Sequence, residues 1–123
     1  MAISSMPNIY TRDIEAAIGF YRDQLGFAQT YQFPYQGRPE HVELRLGESM
    51  LALSTYKAVA EQGVQAGPGN SFELEVWCED VNTLVAALRA ADHRVVVEPY
   101  DHVAGHRRAY VADPDGNYVV LVQ

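Results

Sequence analysis

"RDIEAAIGFYRDQLGF", residues 12–27, decides the fold. Asp13 offers the side-chain oxygen that caps a helix start, and Ile14, Ala17, Ile18, Tyr21 and Leu25 fall on one stripe of a 3.6-residue turn before Gly26 stops it. The same template returns 67 positions later: Asp80 takes the cap, and Val81, Leu84, Val85 and Leu88 repeat the spacing. A strand candidate precedes each helix, at 4–10 and 72–77, and three follow each: 27–33, 41–46 and 50–54 after the first, 94–98, 108–112 and 118–122 after the second.

The turns inside the last hairpins also correspond, since Gly47 in "LGESMLAL" lies 69 positions before Gly116 in "DGNYVVLV". In the second of these, Asp113, Pro114, Asp115 and Gly116 have the chemistry of a type I turn with a glycine exit. The strand after it, 118–122, carries no charged group, which implies that both of its faces are covered. "AEQGVQAGPGN", residues 60–70, reads as a loop or linker between the halves. The chain is therefore a tandem of two βαβββ modules, 1–58 and 71–123, joined by a linker at 59–70. A module of about 55 residues can hardly bury its own sheet, so the halves associate or pair with the matching half of a second chain.

Composition narrows the partners. Acidic residues outnumber basic ones 16 to 9, giving a net charge of −7, and Arg107-Arg108 is the single basic cluster, so nucleic acid and anionic membrane are poor partners. A cationic or neutral small molecule suits this balance better. With 48% apolar and 20% charged residues the chain folds rather than staying disordered, and no run of 18 apolar residues suggests a membrane span or leader. One cysteine, Cys78, permits no internal disulfide and fits a reducing cytoplasm; its expected role is packing.

With the tandem in place, "RDIEAAIGFYRDQLGF" and "ADPDGNYVVLVQ" together resemble the vicinal oxygen chelate superfamily, which includes glyoxalase I, extradiol dioxygenases, fosfomycin-resistance enzymes and bleomycin-resistance proteins. The resemblance spans nearly the whole chain. It implies an α+β fold of paired βαβββ modules that curl into an incomplete barrel around a cavity and are completed in a homodimer. Catalytic members hold a divalent metal on His, Gln or Glu. Their ligand in the first strand of a module, seven residues before the capping Asp, corresponds to Met6 and to Glu73; their glutamate in the last strand corresponds to Val120, and its counterpart in the first module falls near Leu51. Only Glu73 suits a hard cation, so the expectation is no metal and no cofactor. "MPNIYTRDIEAAIGFYRDQLGF" also looks like the opening of bleomycin-resistance proteins, which bind a drug in the grooves of a dimer without metal.

Strand parity then selects a candidate site. In "FELEVW", Phe72, Leu74 and Val76 form one face and Glu73, Glu75 and Trp77 the other; in "HVELRL", Val42, Leu44 and Leu46 oppose His41, Glu43 and Arg45. The apolar rows pack under helices, and the polar rows face either water or the cavity. As a binding surface the second row supplies carboxylates to attract positive charge and Trp77 to stack on a planar cation, or Trp77 simply fills core or an interface. His41, Glu43 and Arg45 belong to the set, with mutual neutralisation of Glu43 and Arg45 as the alternative; Tyr35 in "YQFPYQG" is a lid contact or surface packing, and Tyr110 on the strand 108–112 completes the ligand-binding set. His102 and His106 bracket "VAG" and read as solvent-exposed loop histidines. Two functions stay open: a metal-free binder that sequesters an antibiotic or related aromatic or cationic compound, and a glyoxalase-like lyase or isomerase with a displaced metal site on His41, Glu43, Glu73 and Glu75 or a carboxylate base.

Overall fold

The computed structural model describes residues 1, 4, 6–63, 65–69 and 72–123, and divides the chain into two units, Met1–Gly67 and Pro68–Gln123. The first contains β1 (Asn8–Thr11), α1 (Ile14–Ile18) running on into a π-helical segment (Gly19–Gln24), β2 (Ala28–Phe33), β3 (His41–Leu46), β4 (Ser49–Thr55) and α2 (Tyr56–Glu61). The second contains β5 (Glu73–Trp77), α3 (Val81–Ala90), β6 (Val95–Asp101), β7 (Arg107–Ala112) and β8 (Tyr118–Val122). Each unit has a four-stranded mixed sheet, ordered β1-β4-β3-β2 in one and β5-β8-β7-β6 in the other. In both, the strand before the helix lies parallel to the last strand, and the remaining pairs are antiparallel. The expected α+β architecture built from repeated βαβββ elements is present.

The helix starts follow from their caps. Asp13 accepts from the Ala16 N–H at 3.1 Å and Asp80 from the Thr83 N–H at 3.0 Å, each satisfying one of the donors a helix start leaves open. Downstream of α1 the regular stripe fails. Leu25 N–H reaches back to Phe20 O at 3.1 Å, a five-residue bond that widens the turn, so Phe20 and Tyr21 are both fully buried while Leu25 is only half-buried. Phe20 meets Tyr21 edge to face with centroids 4.9 Å apart, and Tyr21 meets Phe27 at 6.1 Å. Each such ring contributes about 1.5–3 kcal/mol by leaving water.

The apolar rows are where parity places them. Val42 and Leu44 are buried with Leu51 and Leu53 opposite, and Val76, Ala109, Val111, Val119 and Leu121 form the matching layer of the second unit, where α3 contributes Val81, Val85 and Leu88. The Asp113 turn forms as its residues dictate. Gly116 sits at φ +87°, and the Asp113 carboxylate accepts from the backbone of Asp115 at 2.9 Å and of Asn117 at 2.8 Å. Beyond it, Val119 to Val122 are all fully buried, because β8 has β5 on one side and β7 on the other and is covered on both faces.

Three elements differ from expectation. The first strand begins at Asn8 rather than at residue 4, although Pro7 O still accepts from Ala52 N at 2.8 Å; Ser5, within that expected strand, lies outside the described residues. β6 passes through Pro99 to Asp101, which an edge strand allows, and its register shifts between Val97 and Tyr100. α2 has no expected counterpart. Thr55 caps it by accepting from Ala58 N at 3.1 Å, and Val59 is its one buried residue, too little for a periodic signal.

Candidate functional site

In the second unit, register places Glu73, Glu75 and Trp77 of β5 on the same face as Tyr118, Val120 and Val122 of β8 and Arg108 and Tyr110 of β7. Its aliphatic members, Val120 and Val122, are fully buried. Trp77 remains 58% exposed, yet two contacts hold it: its indole N–H donates to Glu75 Oε1 at 2.9 Å, and the His106 ring lies nearly perpendicular to it with centroids 5.1 Å apart. The ring is thus largely open to solvent while its orientation is fixed. The Tyr110 phenol is pushed above the usual tyrosine range, first by burial and then by the neighbouring Glu73 carboxylate. His106 Nδ1 and Arg108 Nε are buried without a hydrogen-bond partner among the described residues, so two nitrogens on this face have unmet capacity.

His106 therefore departs from the expected exposed loop. β6 extends to Asp101 and β7 begins at Arg107, leaving a tight turn in which His102 N–H donates to His106 O at 2.7 Å and Gly105 takes φ +94°. Both histidines are half-buried by this closure.

The first unit carries His41, Glu43 and Arg45 on one face of β3, with Tyr35 in the loop that precedes it, 80% exposed and perpendicular to Tyr31 with centroids 6.1 Å apart. Glu43 does not pair with Arg45. Its partner is His41, whose Nε2 lies 3.6 Å from Glu43 Oε2, and among the described residues Arg45 forms no ion pair. The other side of the His41 ring meets Ser54 Oγ at 2.7 Å, and Ser54 donates onward to Asn8 Oδ1 at 3.0 Å. With the hydroxyl proton given to Asn8, His41 Nδ1 is the donor to Ser54. Sequence reasoning missed Asn8 and Ser54; the signal was the hairpin turn at Gly47, which sets Ser54 directly opposite His41. Beside them a hollow of about 260 Å³ is bounded by Asn8, Phe33, His41, Ser54 and Val59.

The residues do not fit the metal centre that catalytic vicinal oxygen chelate proteins carry. Val120 is a fully buried aliphatic flanked by Glu75 and Tyr110 on the adjacent strands, and Met6 is a thioether ahead of β1. Leu51 is not its first-unit counterpart. It pairs with Leu44 on the opposite, buried face, and the equivalent place belongs to Ala52, which lies between Asn8 and Glu43; a one-residue slip exchanges the faces of a strand. Among the described residues of each unit, no group of three or more His, Cys, Asp or Glu could hold a metal ion. Of the four residues expected for a displaced centre, His41 and Glu43 stand together in the first unit and Glu73 and Glu75 in the second. Cys78 is half-buried and its thiol is pushed up by burial, in keeping with packing.

Comparison with known proteins agrees with this architecture. A glyoxalase/bleomycin resistance protein/dioxygenase enzyme from Burkholderia phytofirmans superposes with a TM-score of 0.82 at 25% identity, covering 96% of this chain and 95% of its own. TioX from Micromonospora superposes at 0.76 with 20% identity and 98% of both chains, and lactoylglutathione lyase from Agrobacterium tumefaciens at 0.72 with 22% identity, 97% of this chain and 92% of its own; both are likenesses of fold. No curated protein sequence matches the chain. The sequence model of the Glyoxalase/Bleomycin resistance protein/Dioxygenase superfamily, however, matches residues 4–121, and the chain belongs to that superfamily.

Proposed function

We propose that the protein is a metal-free small-molecule binder that sequesters an aromatic, cationic or neutral compound of the antibiotic kind. The observation that carries the reading is Trp77: a largely exposed ring, fixed by Glu75 and His106, on a sheet face that also bears the Glu73 carboxylate. Holding the ring in place beforehand lowers the ordering cost of stacking, and the carboxylates favour a positive partner. Tyr110 completes this face; on the first unit, Tyr35, His41, Glu43 and Arg45 are the proposed ligand contacts. Val120 supports the metal-free part, since an aliphatic floor favours greasy surface over chelation.

The same reading has the protein act as a cytoplasmic homodimer. No helix among the described residues is long and apolar enough to cross a membrane, and the single cysteine suits a reducing compartment. The test is titration of the purified protein with planar aromatic cations while following Trp77 emission, with sedimentation to give the assembly. Saturable quenching is expected, together with a calorimetric binding heat that disappears in Trp77→Leu. Emission that no aromatic cation or neutral drug perturbs, together with unchanged drug tolerance of an expressing host, overturns the reading.

A further inference from the structure

The open face of the second unit keeps its opposite charges apart. Register aligns Trp77, Val122, Arg108 and Tyr100 in one row across β5, β8, β7 and β6, and Glu75, Val120 and Tyr110 in the next. Glu73 and Glu75 therefore stand on β5 and Arg108 on β7, two strand spacings or about 10 Å away. The fully buried Val120 and Val122 form the floor between them. Among the described residues no ion pair closes that gap.

Neither pole is neutralised from within the face. Arg108 is half-buried, its Nε is buried without a partner, and its side chain makes no hydrogen bond or ion pair to any described residue. At the other pole Glu75 accepts from the Trp77 indole and Glu73 stands beside the Tyr110 phenol, so both carboxylates are engaged by neutral groups. A guanidinium drawn out of water without an acceptor costs free energy, and a carboxylate that meets its planar fork with two parallel bonds removes that cost. Two unpaired poles across an apolar floor are the complement of a flat molecule that carries the reverse dipole.

We propose that the ligand of this face is an amphoteric aromatic: a flat ring system over Val120 and Val122 beside Trp77, with a carboxylate at one end taken by Arg108 and an ammonium at the other facing Glu73 and Glu75. This rests on the reading of the Trp77 face as a ligand face and adds the acid group, which that reading does not require. Calorimetric titration of the full chain with 6-(aminomethyl)-2-naphthoate and with 2-(aminomethyl)naphthalene, at constant ionic strength, tests it. The amphoteric compound binds about tenfold tighter than the amine, the scale of one charge-assisted contact. Arg108→Gln abolishes that preference while binding the amine at least as tightly as the parent does, and Arg108→Lys, which keeps the charge without the fork, retains part of it. An amine that binds the parent as tightly as the amphoteric compound overturns the proposal and leaves the aromatic-cation reading standing. So does a preference that Arg108→Gln leaves intact while circular dichroism shows the variant folded. Failure of both compounds to bind overturns the proposal together with the reading on which it rests.

Discussion

Val120→Glu restores the glutamate that metal-holding relatives carry in their last strand, and the structure predicts that this chain does not tolerate it. Val120 is 0% exposed, with Glu75 in register on β5 and Tyr110 on β7. Burial at such a place raises a carboxyl pKa by up to about 3–5 units, and at 1.36 kcal/mol per unit that is about 4–7 kcal/mol against the charged form. The Glu75 carboxylate adds repulsion on the same face, screened because it is exposed. A domain of ordinary stability holds only about 5–15 kcal/mol, so the variant is largely or wholly unfolded at pH 8.

The sign of the pH dependence separates this cause from loss of packing. A carboxyl whose folded pKa lies above its unfolded value imposes no charge penalty below the unfolded value of about 4.3, and the penalty grows as pH rises towards the folded value. Val120→Glu therefore regains stability between pH 8 and pH 5, whereas Val120→Ala loses about 1–3 kcal/mol at every pH. Urea unfolding followed by far-ultraviolet circular dichroism at both pH values measures the pair. A Val120→Glu protein within about 1 kcal/mol of the parent at pH 8, or one whose deficit ignores pH, refutes the account of β8 as a sealed aliphatic floor.

Other consequences are open to the same treatment. Glu73→Gln removes a charge that holds the Tyr110 phenol up, so the Tyr110 ionisation midpoint, read as the difference from Tyr110→Phe in an ultraviolet titration, moves down while remaining above the ordinary tyrosine value because burial is its first cause. Hydrogen bonds from the Thr83 backbone and side chain keep the Asp80 carboxyl below its usual range, so its cap stabilises above the unfolded pKa and the benefit fades as pH falls through the folded one. Melting midpoints of Asp80→Asn and the parent accordingly differ at pH 7 and converge at low pH. Tyr21→Ala costs about 3–5 kcal/mol in urea unfolding, since the ring is fully buried against Phe20 and Phe27; a loss below about 1 kcal/mol contradicts the packing of the π-helical turn.

Much of the fold was legible because its determinants are local. The caps at Asp13 and Asp80, the turn at Asp113 and the alternation of β3 and β5 each act over four to six residues, and each was readable as such. Phe20 was not, because a π turn departs from the 3.6 period and nothing in a single sequence announces it. α2 escaped for want of an apolar stripe. Of the candidate site, parity put Glu73, Glu75 and Trp77 on a shared face, and register across β8 brings Tyr110 to it. It could not reveal that His106 braces the Trp77 ring or that Ser54 and Asn8 continue the His41 chain, since those contacts depend on how far β6 extends and how the β3–β4 hairpin registers.

Register equivalence between the units shows where fold and function part company. Asn8 beside Ala52 corresponds to Glu75 beside Val120, and Tyr10 beside Ser54 to Trp77 beside Val122. On the antiparallel side, Glu43 opposite Ala52 corresponds to Tyr110 opposite Val120, and His41 opposite Ser54 to Arg108 opposite Val122. The buried rows keep one chemistry in both units, as a shared topology demands. The open rows keep only the aromatic on the first strand: one unit surrounds it with a hydrogen-bonded chain of Asn8, Ser54 and His41 that ends beside Glu43, the other with Glu73, Glu75 and a brace from His106. Since backbone and cap are common to both, that difference in surroundings is what favours Trp77 over Tyr10 for the aromatic-cation role proposed above.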